Sequence, residues 1–173
     1  LAIAKNKADV YKYTIKQNCV AVVSDGSAVL GIGNVGPEAA LPVMEGKCAL
    51  FKAFAGIDAF PICLNVHEID QIVAATTAIS PVFGGINLED IAAPKCFEVE
   101  QRLRKELSIP VMHDDQHATG IVVLAGLVNA LKVVNKGKEE IAVVINGAGA
   151  AGTATAKMLL RFGIKSVVVC DTE

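Results

Sequence analysis

Residues 141–171 read IAVVINGAGAAGTATAKMLLRFGIKSVVVCD, in which a β-branched run leads into a glycine-rich turn, a helical pattern and a second β-branched run. The turn has the spacing G-x-G-x-x-G, and an aspartate ends the second run. Glycines at this spacing let the backbone approach a pyrophosphate, the helix N-terminus supplies amide donors, and the acid binds the adenosine ribose. The stretch predicts a βαβ unit that binds a dinucleotide; the alternative is a glycine turn that packs helix on strand without a ligand. The cofactor-binding candidates are Gly147, Ala148, Gly149, Ala150, Ala151, Gly152 and Asp171.

The same alternation of short β-branched runs and longer helical patterns extends back to the start of the chain. This rhythm predicts an α/β fold with parallel sheets, and the apolar runs predict strands that are covered on both faces. The predicted strands are 19–23, 58–64, 82–86, 109–112, 141–146 and 166–170, and the predicted helices are 38–54, 68–79, 95–107, 116–134 and 150–162.

We place a domain boundary just before the long helical pattern that starts near Gln116, so that the two domains cover 1–113 and 114–173. A dinucleotide fold needs further strands for the nicotinamide half, and one helix and one strand follow Gly152. The first residue is Leu1 and not Met. We therefore expect a part of a longer protein that is inactive by itself.

Composition and charge exclude several classes of protein. The 173 residues are 53% hydrophobic, so the chain can fill a core, and 16 basic side chains stand against 18 acidic ones. No basic stripe is present, so we expect no nucleic-acid partner. No uninterrupted apolar run reaches the roughly 18 residues that cross a bilayer, so we expect no membrane partner.

The five cysteines form no C-x-x-C pair and have no spacing typical of a zinc site. Two of them, Cys63 and Cys170, lie inside apolar strand-like runs. We expect small buried side chains in a reducing compartment, which predicts a cytoplasmic protein.

A second copy of G-x-G-x-x-G occurs at residues 31–36. It follows a β-branched run of barely three residues, and its nearest acid, Asp58, begins the next predicted strand instead of ending it. This copy therefore fails the context that dinucleotide binding requires. We expect a tight turn near a ligand.

Two acidic pairs lie just beyond predicted strand ends, Glu89–Asp90 and Asp114–Asp115. The carboxyl ends of parallel strands share one edge, where four carboxylates would repel one another unless a cation neutralised them. Oxygen ligands without thiolate suit Mg²⁺ or Mn²⁺. The alternative for each pair is a solvated surface dipeptide. A zinc site at His113 and His117 is less favoured, because no H-E-x-x-H pattern is present.

Lys47 lies on a helical face whose other members are apolar: Val43, Met44, Leu50, Phe51 and Phe54. Desolvation on such a stripe would favour the neutral amine and lower its pKa toward catalytic use. The alternative is a side chain that extends past the stripe to water. Lys52, which shares its face with Glu45, is expected to be solvated.

Five stretches occur in order along the chain: Val22–Ser27, Leu30–Gly36, Pro42–Lys47, Phe83–Asp90 and Pro110–His117. Together they resemble the short bacterial and archaeal malic enzymes, and the likeness covers essentially the whole chain. The resemblance implies oxidative decarboxylation of L-malate to pyruvate and CO₂, with NAD or NADP and Mn²⁺ or Mg²⁺, by a homodimer. It also implies an N-terminal malic-enzyme domain followed by the first βαβ unit of a Rossmann domain.

The resemblance also implies roles for individual residues. Lys47 matches the base on the malate hydroxyl, and Asp114 matches the aspartate that supports it. Glu89, Asp90 and Asp115 match the metal ligands. Asp171 would favour NAD by excluding a 2′-phosphate, although similar short malic enzymes use either cofactor.

The chain departs from the family in two places. The general acid of the family is a tyrosine in a Tyr-Ser/Thr-Pro-Gly motif, which is not found here. The arginine that larger malic enzymes carry before the first glycine turn is Ala28. Two other functions stay open: a malolactic enzyme that releases lactate, and a non-catalytic nucleotide- or metal-binding fragment.

Overall fold

The computed structural model describes residues 1–172, which form two compact units. The first unit is Leu1–Met112, and the second begins at His113. The strands of the first unit are β1 (Cys19–Ser24), β2 (Asp58–Cys63) and β3 (Gly85–Leu88), and β4 (Val111–His113) contains the boundary. Its helices are α1 (Ala2–Lys5), α2 (Val10–Tyr13), α3 (Pro37–Ala55), α4 (Ile69–Ile79) and α5 (Lys95–Glu106), with 3₁₀ turns at Lys7–Asp9, Ile15–Asn18 and Ser80–Val82.

The sheet of the first unit has the strand order β2-β1-β3-β4. The central strand β1 runs parallel to β2 on one side and to β3 on the other. Helix α3 packs against β1 and β2, and α4 packs against α5. The parallel α/β architecture predicted from the alternation of elements is confirmed.

The core of this unit consists of β1 and one face of each long helix. Val22 and Val23 are fully buried, as are Met44 of α3 and Leu103 of α5. Each fully buried aliphatic side chain contributes about 1.5–3 kcal/mol of transfer free energy. This burial stabilises the sheet whose carboxyl edge carries the candidate site.

Lys16 is a buried cation in this unit that the sequence pattern did not reveal. Its Nζ donates hydrogen bonds to the carbonyls of Ser80 at 3.1 Å, Pro81 at 3.2 Å and Phe83 at 2.5 Å. These carbonyls follow α4, where a helix end leaves acceptors unsatisfied. Lys16 thereby holds the segment that leads into β3, although burial lowers the pKa of its amine.

The second unit contains α6 (Asp114–Val134), β5 (Ala142–Asn146), α7 (Ala150–Phe162) and β6 (Ser166–Cys170), with a 3₁₀ turn at Lys138–Glu140. The two strands pair in parallel, so β5, α7 and β6 form a βαβ unit. Helix α6 packs against α7 at Gly120, where an added Cβ would lie 3.2 Å from the Cε of Met158. Small residues at such a crossing allow close approach of two helices.

Helix α6 is the one helix of the described residues that is long and apolar enough, by length and composition, to cross a membrane. Helices that pack in the core of soluble proteins meet the same criteria. The absence of a membrane partner therefore stays a prediction.

Several expectations differ from the structure, and three of them have an identifiable physical reason. The strand predicted at 82–86 is instead β3 at Gly85–Leu88. The residues before it, Ser80–Val82, form a 3₁₀ turn that contains Pro81, so the strand begins later. Helix α6 begins at Asp114, two residues before the predicted start. The negative charges of Asp114 and Asp115 interact favourably with the positive end of the helix dipole and so stabilise this earlier start. The predicted covering of the strands on both faces is wrong for the edge strand β2, where Phe60 is 50% exposed, and for β5 and β6, where Val144 is 68% exposed and Cys170 is also exposed. Helix α7 packs against β5 and β6, and alternate side chains point away from it.

Gly26 and Gly31 offer a matched test of the loop that follows β1. Both have positive φ, +68° and +76°, but a Cβ on Gly26 would overlap the carbonyl of Gly36, whereas a Cβ on Gly31 would meet nothing within 4 Å. Gly31→Ala should lower the free energy of unfolding by about 1–2 kcal/mol, the cost of the left-handed backbone alone. Gly26→Ala should lower it further, because the clash forces the start of α3 away from β1. Urea unfolding of both variants measures the difference, and equal losses would contradict this account of the loop.

Candidate functional site

The carboxyl ends of β1 and β3 lie side by side, because Val23 pairs with Leu88. The amide of Glu89 continues this ladder by donating to the Val23 carbonyl at 2.9 Å. The loop after β1 and the turn after β3 therefore meet at one edge of the sheet. Ligands of open parallel sheets bind at this edge.

Lys47 and Glu89, both predicted site residues, form an ion pair at this edge. The Nζ of Lys47 lies 3.2 Å from Oε2 of Glu89, whose side chain is only 9% exposed. The same Oε2 accepts a hydrogen bond from the Asn87 side chain at 2.9 Å. The carboxylate is thus held in a fixed direction by Asn87 of the preceding strand β3 and by the Lys47 cation of α3.

The apolar stripe expected around Lys47 is not a buried one. Of its five members only Met44 is buried, whereas Val43 is 41%, Leu50 50% and Phe54 87% exposed. The helical face was identified correctly, but most of it points away from the sheet. The surroundings of Lys47 are therefore set by the carboxylate of Glu89 and not by apolar neighbours. Lys52 is solvated as predicted, with 63% of its side chain exposed and Asp58 2.7 Å away.

Asp90 occupies the turn after β3 in an uncommon backbone conformation. Its φ is +53°, in the left-handed region, and the residue is 3% exposed. The amide of Ala28 donates to its carbonyl at 2.9 Å. A non-glycine residue in this region needs support from its surroundings, and strained backbone of this kind concentrates at functional sites.

A second buried carboxylate, Asp25, was not among the predicted site residues. It is 0% exposed, its Oδ1 accepts from the Ser27 hydroxyl at 2.6 Å, and its Oδ2 accepts from Lys95. The Nδ1 of His67 lies 3.6 Å from the same Oδ2. The signal that could have found Asp25 is the Asp-Gly-Ser sequence directly after a buried strand, which is typical of an Asx turn.

Asp114 and Asp115 lie in the second unit, in the first turn of α6. Nε2 of His113 is 3.4 Å from Oδ2 of Asp115. His113 is the last residue of β4 and has extended backbone, so it does not share a helical face with His117. The i, i+4 geometry on which the zinc alternative depends is therefore absent from these two residues.

The glycine turn of the second unit has the geometry expected of a phosphate-binding loop. Gly147 has φ +112°, and a Cβ on Gly152 would overlap the Gly147 carbonyl, so the turn can close only around glycine. A Cβ on Gly149 would meet nothing within 4 Å, which leaves the approach to the start of α7 open. Ala148 joins these glycines, and Ala150 and Ala151 form the first turn of α7. These residues fit a dinucleotide pyrophosphate at a helix N-terminus.

Asp171 reaches back to this loop. Its Oδ2 accepts a hydrogen bond from the Ala148 amide at 2.6 Å. That hydrogen bond, and a second from the Thr172 amide, hold the pKa of the Asp171 carboxyl below its ordinary value. The carboxylate is exposed and charged at neutral pH, as a residue that accepts ribose hydroxyls requires.

The donor chemistry of the first unit fits a hard divalent cation. Glu89 and Asp90 are adjacent, buried to 7% and 3% exposure, and offer carboxylate oxygen. Mg²⁺ and Mn²⁺ prefer such oxygen ligands. The two residues can therefore hold a divalent cation.

The first glycine sequence forms a tight turn, as predicted. Val29 and Gly33 make an isolated antiparallel bridge, and the amide of Gly33 donates to the Val29 carbonyl at 2.8 Å. Residues 25–30 separate this turn from β1, so it does not follow a strand directly, as the glycine turn after β5 does. Its proximity to a ligand stays a prediction.

A cleft of about 420 Å³ opens elsewhere in the first unit. Cys19 and Asp58, the first residues of β1 and β2, line it together with Cys48 and Lys52 of α3. It lies at the amino end of the strands, opposite the edge that carries Glu89. None of the predicted site residues lines it.

Comparison with known proteins supports the resemblance derived from the five motifs. A family model of the malic enzyme N-terminal domain matches residues 2–104. The bifunctional malic/malolactic enzyme of Bacillus subtilis is 62% identical over 164 residues, which cover 95% of this chain and 40% of that protein. The NAD-dependent malic enzyme of Geobacillus stearothermophilus is 59% identical over 170 residues, which cover 98% of this chain and 36% of that protein.

A solved structure agrees with these relatives. The crystal structure of the NAD-dependent malic enzyme of Thermotoga maritima is 58% identical and superimposes with a TM-score of 0.96, over 98% of this chain and 45% of that one. The chain thus spans less than half the length of these three proteins. Because the match to the N-terminal domain covers more than half of the residues here, the chain belongs to the malic enzyme family.

Proposed function

We propose that the protein containing this chain oxidises and decarboxylates L-malate to pyruvate and CO₂ with reduction of NAD or NADP. The observation that supports this most directly is the ion pair of Lys47 with the buried Glu89, 3.2 Å apart at the carboxyl edge of a parallel sheet. The relatives are named as malic enzymes that depend on NAD or NADP. In this proposal residues 1–113 bind substrate and metal, and the Rossmann domain begins at 114.

Lys47 acts in this proposal as the general base. The ion pair with Glu89 requires the ammonium form, so Lys47 must first lose a proton; its neutral Nζ can then accept the proton of the malate C2 hydroxyl. A divalent cation bound by Glu89 would draw the carboxylate charge away from the lysine and so favour the neutral amine. Asp114 is proposed as the aspartate that supports Lys47, and this assignment rests on the sequence motif alone. The Lys47 side chain is held at this edge of the sheet before substrate binds, because the ion pair with Glu89 fixes its position.

Glu89, Asp90 and Asp115 are proposed as the ligands of Mn²⁺ or Mg²⁺. The donor set of the first two supports this assignment, and the motif supports the third. A cation held by these carboxylates would supply stabilisation of negative charge on the C2 oxygen, and a bound nicotinamide would supply the acceptor for the C2 hydride. The chain's own residues supply the carboxylates that hold the cation and the lysine that removes the proton.

NAD is proposed as the preferred cofactor. In this proposal the Asp171 carboxylate would bind the adenosine ribose, and its negative charge would repel a 2′-phosphate there. The Geobacillus relative is named for NAD, whereas relatives from Haemophilus influenzae and Escherichia coli are named for NADP. The homodimer and the cytoplasmic location remain predictions from the resemblance and the composition.

A malolactic reaction is the second candidate, because the Bacillus subtilis relative is named for both activities. The intact protein is incubated with malate, Mn²⁺ and each nicotinamide cofactor, and the product is identified. Pyruvate with stoichiometric NADH or NADPH supports the malic reaction, and lactate without net reduction supports the malolactic one. If the intact protein binds Mn²⁺ but forms neither product, the proposed reactions are wrong and a non-catalytic binding role is supported.

Substitution of the proposed base gives the first prediction from this function. Lys47→Ala in the intact protein should lower kcat for malate oxidation by roughly 100- to 10 000-fold, the usual contribution of a general base. Mn²⁺ binding should persist, because both carboxylates of the turn remain. Steady-state kinetics and Mn²⁺ titration measure the two effects.

Lys52→Ala is the matched control, since Lys52 lies on the same helix but pairs with Asp58 at the surface. It should keep full activity. Malate oxidation retained by Lys47→Ala would exclude Lys47 as the base.

The open space at Gly149 gives a second prediction. Gly149→Ala should weaken NAD binding by about tenfold or more, because the new methyl group occupies the approach to the helix N-terminus. The thermal midpoint should stay within a few degrees, since the Cβ meets no protein atom within 4 Å. Fluorescence titration with NADH measures the affinity.

Gly126→Ala is the control, because Gly126 lies within α6 and its Cβ would likewise meet nothing within 4 Å. Its NADH affinity should equal that of the unsubstituted protein. Unchanged NADH affinity in Gly149→Ala would argue against a pyrophosphate at this loop.

A further inference from the structure

We propose that Ser27 is a positioning residue of the divalent-cation site: its hydroxyl, oriented by the buried Asp25, holds the turn in which Asp90 lies. The inference rests on the cation site of the proposed function. It assigns a task to a set of residues, Asp25, Ser27 and Lys95, that the proposed reaction does not use.

The turn after β3 is held from outside by the loop after β1. Asp90 has φ +53°, a conformation that a residue with a side chain adopts only when its surroundings enforce it. Two hydrogen bonds flank this residue. The amide of Ala28 donates to the Asp90 carbonyl, and the amide of Ala92 donates to Oγ of Ser27, each at 2.9 Å.

The Ser27 hydroxyl has a defined direction. An ionised carboxylate only accepts hydrogen bonds, so the hydroxyl must donate its proton to Oδ1 of Asp25, 2.6 Å away. The lone pairs of Ser27 then face the Ala92 amide. A serine without this acid would be free to rotate, and the Ala92 amide would lose a fixed acceptor.

Asp25 is itself fixed by its environment. It is fully buried, the Ser27 amide donates to Oδ1 at 3.1 Å, and Lys95 donates to Oδ2. Both oxygens are therefore bound within the first unit, and the lysine compensates the buried charge. Asp25 is accordingly assigned to support the turn and not to ligate the cation.

Hydrogen bonds connect Lys95 to Asp25 and Asp25 to Ser27. Ser27 and the adjacent Ala28 then bind the backbone at and after Asp90. Groups that orient a metal ligand commonly change metal affinity by about 10- to 100-fold when they are removed. A purely structural hydrogen bond would instead change stability and leave the affinity of the folded protein unaltered. Metal affinity therefore separates the two roles.

The test measures Mn²⁺ affinity directly, by electron paramagnetic resonance of free Mn²⁺, in the intact protein without substrate or nucleotide. Ser27→Ala should weaken Mn²⁺ binding by roughly 10- to 100-fold. Ser27→Thr, which keeps the hydroxyl, should restore affinity to within about threefold of the unsubstituted protein. Lys95→Gln acts at the far end of the network and should also weaken binding, so that the test does not depend on the folding of a single variant.

Ser80→Ala is the matched control. Ser80 also donates a side-chain hydrogen bond to backbone, to the Thr77 carbonyl at 2.9 Å, but it lies at the end of α4. It should lose stability without loss of Mn²⁺ affinity.

The outcomes separate this inference from the proposed function. If Asp90→Asn loses Mn²⁺ binding while Ser27→Ala and Lys95→Gln bind as tightly as the unsubstituted protein, the positioning role is overturned and the cation site stands. If Asp90→Asn also binds normally, the cation site itself is overturned, and the inference with it.

Discussion

The pairing register of β1 and β3 is the constraint on which the site in the first unit depends. Val23 lies opposite Leu88, and the Glu89 amide extends the ladder by one more hydrogen bond. Because parallel strands end at a common edge, the loop after β1 and the turn after β3 are forced into contact. A slip of one residue would turn Glu89 to the opposite face of the sheet and separate it from Lys47 of α3. Val22 and Val23 point to opposite faces of the sheet and both are fully buried, so β1 is packed on both sides.

Charge compensation then determines which acids can remain buried at this edge. Asp25 is paired with Lys95, and Glu89 is paired with Lys47. A buried carboxylate without a partner is strongly destabilising, so each acid requires its lysine. The two lysines come from different helices, α5 and α3. The helices are thus held to the sheet edge by charge as well as by apolar contact.

Sequence patterns predicted elements well where a single periodicity dominated and poorly where distant contacts set the boundary. Helix α7 and strand β6 lie at their predicted bounds, because a glycine or a β-branched run marks each end. Strand β3 begins later than predicted because the segment before it is bound to Lys16. A Cβ on Gly84 would overlap the Lys16 carbonyl, so the approach of these two segments depends on glycine. Hydropathy along the chain contains no information about that contact.

The sequence by itself determined the parallel α/β class, the positions of the acids at strand ends, the glycine turn after β5 and the resemblance to malic enzymes. These are local properties, since helical and strand periodicity, turn residues and motifs extend over a few neighbouring positions. The tertiary structure alone decided that Lys47 meets Glu89 and not an apolar envelope, and that Asp25, Ser27 and Lys95 surround the turn at Asp90. Ser27 contacts a residue 65 positions away, and Asp25 contacts one 70 positions away. Such partners are selected by the packing of the sheet and its helices, which no local pattern encodes.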